Sequence, residues 1–495
     1  MKLYFHGHDY KYAAEQMLLT LFPSQRPEYP EGAAEAGEDA LTLSLHKGKS
    51  WLTATARLVW QGQEYTCRRR CPARVLEQPE LERDRACQRI LKLAFYQAGT
   101  QALGIQLPWG ALTGVRPVKL PTKAMQSGAT PAQAARLLEK EYFVTPRRVQ
   151  LAMDCARTSI SMDRSLGRDE VSLYAGIPFC PTRCAYCSFI CADAGRANKL
   201  IEPYLEGLLR EVEAAGEGLR QAGKTIRTLY VGGGTPTTLD AGQLDRLLTA
   251  MERHLPLEGC TEYTVEAGRP DTITPEKLQV LHDHGIGRIS INPQTLEEHV
   301  LEAIGRQHAA GDIPAANALA RQVGFDCINM DLIAGLPRDS FEGFCRSLEG
   351  VLAMTPENIT VHTLALKKGS RLMEEGGALP SGEEVARMLD YSDTRLRQAG
   401  YLPYYLYRQK YMSGSLENVG WAKPGSENLY NVCMMEELHS VLSLGAGGVT
   451  KLVDRRAGAI RRISNPKFPY EYLEQLPRIL EQKRALWNEN GGQGG

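Results

Sequence analysis

The chain has 495 residues, of which 43% are hydrophobic and 23% charged, values that are ordinary for a globular protein with a large core. Its 58 Lys and Arg residues balance its 58 Asp and Glu residues, so no global positive field would recruit nucleic acid or an anionic membrane. The sequence contains no run of about 18 apolar residues and no apolar stretch typical of a signal peptide at its N-terminus. We therefore expect a cytoplasmic protein with no membrane span and no nucleic-acid partner.

Residues 1–165 predict a small α+β accessory domain. Alternating apolar and polar residues indicate strands, and a spacing of three to four residues indicates amphipathic helices. In chain order we expect a strand at 1–7, a helix at 10–22, two or three strands within 41–70, and helices at 84–98 and 131–154.

The segment 108–121 between these two helices is typical of a loop, because glycines and prolines interrupt it. It contains two cations close together, Arg116 and Lys119. The segment is either an ordinary connector or a place where the two cations bind an anionic substrate, since an arginine fork pairs well with carboxylates. The sequence leaves both interpretations open.

From Val171 onward, strand patterns alternate with helix patterns. Asp240 with Gln243 indicates a capping box, and Thr274 before Pro275 indicates a second helix start. Strands are predicted at 171–179, 225–233, 262–268, 288–294, 325–335 and 358–367. Such βα units predict parallel strands covered by helices, in an open sheet or a partial barrel, with reactive groups at the carboxyl ends of the strands.

Three cysteines with the spacing C-x3-C-x2-C, Cys180, Cys184 and Cys187, follow the first of these strands. Zinc favours four closed ligands, and the chain has no second C-x2-C pair. An iron–sulfur cube held by three thiolates keeps one iron open for reaction. The alternatives are three reduced cysteines in a loop, or Cys191 as a fourth ligand. The remaining cysteines are scattered, as in proteins of a reducing compartment.

Other chemistry-bearing residues also stand at predicted strand ends. The run from Gly232 to Pro236, GGGTP, follows the second strand, where it forms either a simple turn or a backbone cradle for a ligand. Polar residues with either an ordinary structural role or a binding role are Glu266, Gln294, Arg306 and Asp331.

Residues 371–495 predict a substrate-side α/β domain with a charged helix after Pro466 and a disordered Gly-rich tail. Aromatic residues and cations alternate within 401–452. This pattern suits nucleic acid, a flat tetrapyrrole bearing propionates, or a strand that is part core and part surface. The aromatic and cationic residues are Tyr404, Tyr405, Tyr407, Arg408, Lys410, Tyr411, Trp421 and Lys423.

The cysteine motif, with Tyr186 before its third cysteine, resembles that of the radical S-adenosylmethionine enzymes. The resemblance implies a partial (β/α)6 barrel at 166–370 and a [4Fe-4S] cluster held by the three cysteines. It further implies that S-adenosylmethionine chelates the open iron and yields a 5′-deoxyadenosyl radical. In this family the segment matching GGGTP binds the methionyl amino group.

A narrower resemblance is to the oxygen-independent coproporphyrinogen III dehydrogenases and their heme-handling relatives. This resemblance implies that Tyr174, Gly233 and Glu266 contact the cluster-bound S-adenosylmethionine, in addition to Tyr186 of the cysteine motif. Those that it implies for a second S-adenosylmethionine are Gly234, Thr235, Gln294, Arg306 and Asp331. Ala365 is expected to contribute a backbone contact. The cofactor is thus one or two molecules of S-adenosylmethionine.

The string RQKYMSGSLENVGWAKPG, the LGAGG turn and the long N-terminal domain resemble the HemZ type of this family over most of the chain. Two departures stand out. Phe189 occupies the position of a further cysteine found in decarboxylating members, and the sequence from Glu427 to Val432, ENLYNV, lacks the histidine and tryptophan of the heme-carrier motif.

The resemblance implies oxidative decarboxylation of coproporphyrinogen III to protoporphyrinogen IX. The alternatives are a heme or porphyrin chaperone of the same fold and a radical tetrapyrrole methyltransferase. The implied partners are a tetrapyrrole substrate and a reducing electron donor such as flavodoxin or ferredoxin. No catalytic side chain is assigned.

Overall fold

The computed structural model describes residues 1–32, 37–187, 192–367, 370–375, 378–409 and 413–487. The chain forms two compact units, Met1–Met153 and Asp154–Gly495. Phe189, Cys191, Lys410, Tyr411 and the Gly-rich tail lie outside the described residues. Among the described helices, none has the length and apolarity needed to cross a membrane.

The first unit contains a four-stranded sheet packed against helices. Its strands lie in chain order; the first two are parallel and the others antiparallel. Alternate residues of the sheet, such as Leu41, Leu43 and Leu52, are buried against Met17 and Leu18 and form one core. The elements are β1 (Lys2–His6), α1 (Lys11–Leu21), β2 (Ala40–Lys47), β3 (Trp51–Trp60), β4 (Gln63–Pro72), α2 (Glu80–Leu103), α3 (Lys119–Gln126), α4 (Pro131–Arg136) and α5 (Pro146–Ser165), which continues into the second unit.

Two details of this unit correct the sequence predictions. The single helix predicted at 131–154 is wrong, because the chain leaves helical geometry between Glu141 and Pro146. Phe143 there has a φ of 60°, and the residue before a proline avoids the helical region. The loop predicted at 108–121 ends earlier, since α3 begins at Lys119 and accommodates Pro121 in its first turn.

The second unit is built on one sheet, which has eleven strands in the described residues. Its first strands and helices are β5 (Glu170–Ile177), β6 (Phe179–Cys180), β7 (Ala192–Asp193), α6 (Ala194–Gln221), β8 (Thr225–Gly233), α7 (Ala241–His254), β9 (Glu262–Glu266), α8 (Pro275–Asp283), β10 (Arg288–Ser290), α9 (Glu298–Ala303), α10 (Asp312–Val323), β11 (Cys327–Ala334), α11 (Phe341–Ala353) and β12 (Asn358–Thr363). Strands β5, β8, β9, β10, β11 and β12 are parallel neighbours in chain order. This confirms the α/β fold with a partial (β/α)6 barrel.

The C-terminal segment completes the same sheet. Its elements are α12 (Arg371–Glu375), α13 (Gly382–Gln398), β13 (Leu402–Tyr407), β14 (Asn418–Ala422), α14 (Leu429–Glu436), β15 (Val441–Leu444), β16 (Val449–Asp454), β17 (Ala459–Ser464), α15 (Pro469–Glu474) and α16 (Leu476–Ala485). Strand β14 pairs with β12, and β15 pairs in parallel with β5. Strands from both sides of residue 370 therefore share one sheet, and the three-part division at 165 and 370 stays a prediction.

Helix starts in the second unit follow the predicted caps. The Asp240 carboxylate accepts from the Gln243 amide at 2.8 Å, and Thr274 Oγ1 accepts from the Lys277 amide at 3.3 Å. The helix predicted after Pro466 is instead two helices separated at Gln475, with a proline in the first turn of the second.

A buried charge connects the C-terminal helix to the barrel. Glu211 on α6 is fully buried and accepts from the Gly445 amide at 2.7 Å and the Tyr472 hydroxyl at 2.7 Å. The Asn465 side chain donates to it at 2.9 Å, and Lys483 Nζ lies 3.4 Å away. Because these partners come from distant segments, the network fixes α16 against α6.

We expect Lys483→Met to lower the free energy of unfolding by about 3–5 kcal/mol, because it leaves the Glu211 carboxylate buried without its cation. Urea denaturation followed by circular dichroism measures this change. Arg478→Met, on an exposed face of the same helix, is the matched control and should change stability by less than about 0.5 kcal/mol. Equal stability of the two variants would contradict the structural role of the pair.

Candidate active site

A cavity of about 780 Å³ lies at the carboxyl ends of the parallel strands of the second unit. Ligand sites of α/β sheets occupy this edge because loops and helix starts converge there. All 13 residues predicted to bind the cluster or S-adenosylmethionine line it: Tyr174, Cys180, Cys184, Tyr186, Cys187, Gly233, Gly234, Thr235, Glu266, Gln294, Arg306, Asp331 and Ala365. The structure thus brings them to one place, while their individual roles stay predictions.

The cysteine loop is held from three sides. Arg269 donates to the Thr182 carbonyl at 3.1 Å and hydroxyl at 2.9 Å, and its guanidinium is fixed by Asp271. The Ala185 amide donates to the Ile304 carbonyl, and the Ala185 carbonyl accepts from the Leu372 amide. These contacts position the cysteines, and Arg269 is a residue that the sequence analysis missed.

The donor set of this loop fits an iron–sulfur cluster. Cys180, Cys184 and Cys187 form no disulfide bond within the described part of the chain. Within the described ranges, no three His, Cys, Asp or Glu side chains are arranged to hold a single metal ion. The thiolates of a cubane cluster bind different irons, so they need not converge on one point.

The turn after β8 approaches the first cysteine closely. The Gly234 amide donates to the Ile177 carbonyl, and the Thr235 amide donates to the Phe179 carbonyl, each at 2.8 Å. A Cβ on Gly234 would lie 2.5 Å from the Phe179 carbonyl oxygen and 3.0 Å from Cys180 Sγ. Only a glycine fits here, and the gap it leaves is a cradle between the turn and the cysteine loop.

Polar residues at the end of β10 and just after it line the cavity. Ser290 Oγ, Asn292 Oδ1 and Gln294 Oε1 are buried, and none has a hydrogen-bond partner among the described residues. Gln294 also has a φ of 67°, an unfavourable conformation for a side chain of this type. Unpaired buried polar atoms are costly, so this edge fits a bound polar molecule such as S-adenosylmethionine.

Glu266, at the end of β9, is a buried carboxyl with an altered pKa. Burial raises its pKa to about 7, against the opposing effects of the Tyr230 hydroxyl and the Gly233 amide. Tyr230 donates to Glu266 Oε1 at 2.6 Å, and the Gly233 amide donates to Oε2 at 3.3 Å. The carboxyl is therefore held in place and changes charge near neutral pH.

Asp331, within β11, is a buried carboxyl whose pKa is shifted in the opposite direction. Burial disfavours its charge, yet His362 and hydrogen bonds together hold its pKa below the usual value. The closest approach to His362 Nε2 is 3.7 Å, and Asn329 Nδ2 donates to Asp331 Oδ1 at 2.8 Å. Glu266 and Asp331 thus give the cavity one carboxyl that titrates near neutrality and one that stays ionised.

Arg306 brings a buried cation to the cysteine loop. Its Nη1 donates to the Asn292 carbonyl at 2.6 Å, and its Nε has no partner within the described residues. Burial lowers the pKa of this guanidinium, but Tyr186 and Cys184 outweigh burial and raise it. Arg306 therefore places a positive charge beside Tyr186 and Cys184.

The C-terminal segment also contributes a wall of the cavity. It supplies Tyr405, Tyr407, Tyr430, Met434, Met435, Lys451 and Lys467. The Tyr430 ring lies 4.5 Å from Tyr230 and 6.3 Å from Tyr174, centroid to centroid, in stacked arrangements. This wall combines flat apolar surface with cations.

The aromatic and cationic pattern of 401–452 therefore serves two purposes. Tyr405 and Tyr407 line the cavity, whereas Tyr404 and Trp421 belong to the core. Two cations of the pattern have structural partners: Arg408 donates to the Ser415 carbonyl, and Lys423 donates to the Thr355 carbonyl.

Several lining residues were not identified from the sequence, notably Tyr230, His362, Lys367 and Tyr430. A sequence signal existed for Lys367, the last residue of the strand predicted at 358–367, and for His362, a polar residue within it. The tyrosines resemble core residues until the sheet order brings them together.

Comparison with known proteins identifies the family of this chain. Residues 174–348 match the model of the radical SAM superfamily. The oxygen-independent coproporphyrinogen-III oxidase-like protein HemZ of Bacillus subtilis is 42% identical over 389 residues, which cover 77% of each chain. The chain belongs to the HemZ family of radical SAM proteins.

A heme chaperone and an enzyme of known structure are also similar to this HemZ-family chain. The heme chaperone HemW of Bacillus subtilis is 30% identical over 313 residues, which cover 60% of this chain and 77% of the chaperone. Among solved structures, coproporphyrinogen III oxidase HemN from Escherichia coli is 24% identical and covers 66% of this chain and 73% of its own, with a TM-score of 0.51. That likeness shows a shared fold.

As a radical SAM protein of the HemZ family, the chain uses a [4Fe-4S] cluster and S-adenosylmethionine. The three loop cysteines, the glycine cradle and the buried polar atoms that lack partners among the described residues fit these two groups. The cavity walls beyond them are available to a substrate.

Proposed function

We propose that this protein oxidatively decarboxylates two propionate side chains of coproporphyrinogen III to vinyl groups, giving protoporphyrinogen IX. The observation that supports this most is the composition of one cavity. The cysteine loop, the polar strand-end residues, several tyrosines, Lys451 and Lys467 all line it. Flat rings suit a tetrapyrrole, and ammonium groups suit its carboxylates. The name of the 42% identical relative points the same way.

In this proposal the cluster is held by Cys180, Cys184 and Cys187, and bound S-adenosylmethionine supplies a 5′-deoxyadenosyl radical that abstracts hydrogen. Contacts to this S-adenosylmethionine are assigned to Tyr174, Tyr186, Gly233 and Glu266. A second molecule is assigned to Gly234, Thr235, Gln294, Arg306 and Asp331, with Ala365 as a backbone contact.

Each propionate would lose a β-hydrogen atom to the 5′-deoxyadenosyl radical, one electron to an external electron acceptor, and CO2, as it becomes a vinyl group. The protein's residues orient the carboxylates and exclude water, which prevents loss of the radical to solvent. Lys367, Lys451 and Lys467 are the cations that we assign to this orientation. A reducing donor such as flavodoxin or ferredoxin supplies the electron for radical formation. The free cysteines and the oxygen-sensitive cluster suit a reducing compartment such as the cytoplasm.

A heme chaperone is the second candidate, because chaperones of this name are about 30% identical to the chain. The segment that matches the heme-carrier motif supports the enzyme instead. Asn428 caps α14 by accepting from the Asn431 amide at 2.7 Å, and the Glu262 carboxylate accepts from the amides of Leu429 and Tyr430. Glu427 stands in place of the motif's histidine, and a carboxylate is a poor substitute for imidazole on heme iron.

An anaerobic assay tests the proposal. Reconstituted protein, S-adenosylmethionine, a strong reductant and coproporphyrinogen III are combined, and the products are identified by mass spectrometry. We expect protoporphyrinogen together with 5′-deoxyadenosine. Cofactor cleavage with methyl addition would identify a methyltransferase, and tight heme binding without turnover would identify a chaperone; either would overturn the proposal.

The Glu266 carboxyl leads to a pH prediction. If its ionised form accepts from S-adenosylmethionine, affinity for this cofactor should fall about tenfold between pH 8 and pH 6, because the carboxyl of the free protein protonates near pH 7. Equilibrium dialysis of the reconstituted protein measures this. Since the hydroxyl of Tyr230 favours the ionised form, Tyr230→Phe should move the profile to higher pH.

Glu266→Gln is the control for this profile, because an amide replaces the carboxyl that protonates near pH 7. The variant should bind more weakly and with little dependence on pH. An unchanged slope in Glu266→Gln would assign the titration to another group.

A further inference from the structure

The first unit contains a cavity of its own, of about 430 Å³, with no role in the proposed reaction. It lies between α2 and the segment 111–114, which sequence analysis singled out as part of a cation-bearing loop. Arg116 and Lys119 are not among its lining residues. The residues that line it are Arg85, Ala86, Arg89, Lys92, Leu93, Ala111, Leu112, Thr113, Gly114, Leu120 and Tyr142.

Three cations on one face of α2 meet in this cavity. Arg85, Arg89 and Lys92 are separated by four and then three residues, so their side chains share a face. Like charges at this spacing repel one another. The lining contains no Asp or Glu; Glu141, which does not line the cavity and whose side chain is 55% exposed, pairs with Arg89 at 3.4 Å.

Lys92 is the most informative of the three. Its ammonium is partly buried and donates to Thr113 Oγ1 at 3.3 Å, a neutral acceptor. Burial lowers its pKa, and no carboxylate opposes this effect. Placing an ammonium in such a site is costly unless an anion accompanies it.

The segment 111–114 contributes backbone to the lining of the cavity. The amides of Thr113 and Gly114 donate to no protein acceptor within the described part of the chain. Leu93, Leu112, Leu120 and the Tyr142 ring complete the wall with apolar surface. The cavity thus combines three cations and two amide donors with an apolar floor.

We propose that this cavity binds a small organic anion with at least two acidic groups, either phosphates or carboxylates. Arginine forks bind such groups through paired hydrogen bonds, and the Lys92 ammonium supplies a further positive charge. The volume suits a molecule of metabolite size. This site is separate from the cavity of the proposed reaction, so the two proposals can be tested independently.

Calorimetric titration of the full chain with inorganic pyrophosphate and, separately, citrate tests the site. We expect at least one to bind with a dissociation constant below about 1 mM at low salt and more weakly at high salt. Stronger binding of pyrophosphate would indicate a phosphorylated ligand, and stronger binding of citrate a polycarboxylate. Absence of binding by both would overturn the proposal.

Variants locate the binding. Lys92→Met and Arg85→Gln should each weaken it about tenfold, as expected for loss of a charge-assisted contact. Arg83→Gln is the matched control, because Arg83 on α2 already faces Glu80 and Asp84 and does not line the cavity. Arg306→Gln should also leave binding unchanged, which excludes the site of the second unit.

Arg85 is exposed, so its variant should fold even if Lys92→Met does not. Undiminished binding by Arg85→Gln and by folded Lys92→Met would contradict the assignment.

Discussion

Replacing Cys184 with serine is expected to abolish the visible absorption of the reconstituted cluster and to lower activity by about 10³-fold or more, because the cofactor supplies the chemistry. A serine hydroxyl stays protonated at neutral pH and does not replace a thiolate on iron. The side chain is nearly isosteric, so stability should change by no more than about 2 kcal/mol. Iron analysis, absorption spectra and thermal unfolding measure the three effects.

Cys345→Ser is the matched control for this experiment. Cys345 is a free thiol on α11 and does not line the active-site cavity. Its replacement should leave iron content and spectrum unchanged. A cluster that survives in Cys184→Ser would show that the ligand assignment is wrong.

The second large effect is expected from Gly234→Ala. The added methyl group would lie 2.5 Å from the Phe179 carbonyl oxygen and 3.0 Å from Cys180 Sγ, and neither atom belongs to a flexible side chain. Overpacking of this kind costs about 1–3 kcal/mol, so affinity for S-adenosylmethionine should fall about 10- to 100-fold if the strain is relieved by moving the turn. Equilibrium dialysis with cluster-loaded protein measures the change.

Gly242→Ala provides the comparison, because Gly242 lies in the first turn of α7 and a Cβ there would meet only Asp240 Oδ1 at 3.5 Å. Alanine favours the helix, so this variant should be as stable as the parent or up to about 1 kcal/mol more stable, with unchanged cofactor affinity. If the two variants bound S-adenosylmethionine with equal affinity, the turn would not be part of the cofactor site.

The parallel core and the strand-end residues could be predicted because both depend on local patterns. The predicted strand at 225–233 matches β8, and GGGTP follows it as the alternation of strand and helix requires. The capping box at Asp240 was equally local. These signals place Cys184, Gly234 and Glu266 at one edge of a sheet without knowledge of its full strand order.

The tyrosine wall could not be predicted, because it depends on contacts between distant segments. Tyr430 reaches Tyr230 only because Glu262 holds the start of α14 and β15 returns to pair with β5. The sequence of residues 441–444 does not indicate which strand they pair with. The broken helix at 131–154 is different: its apolar spacing continues through Phe143, and the local effect of Pro146 on the preceding residue outweighs it.

The most direct test of the proposed reaction is isotope transfer from coproporphyrinogen III deuterated at the β-carbons of its propionates. If the cavity presents these carbons to the radical, deuterium should appear in 5′-deoxyadenosine in step with protoporphyrinogen formation. 5′-Deoxyadenosine that forms without deuterium, while the porphyrinogen keeps all its propionates, would contradict the account.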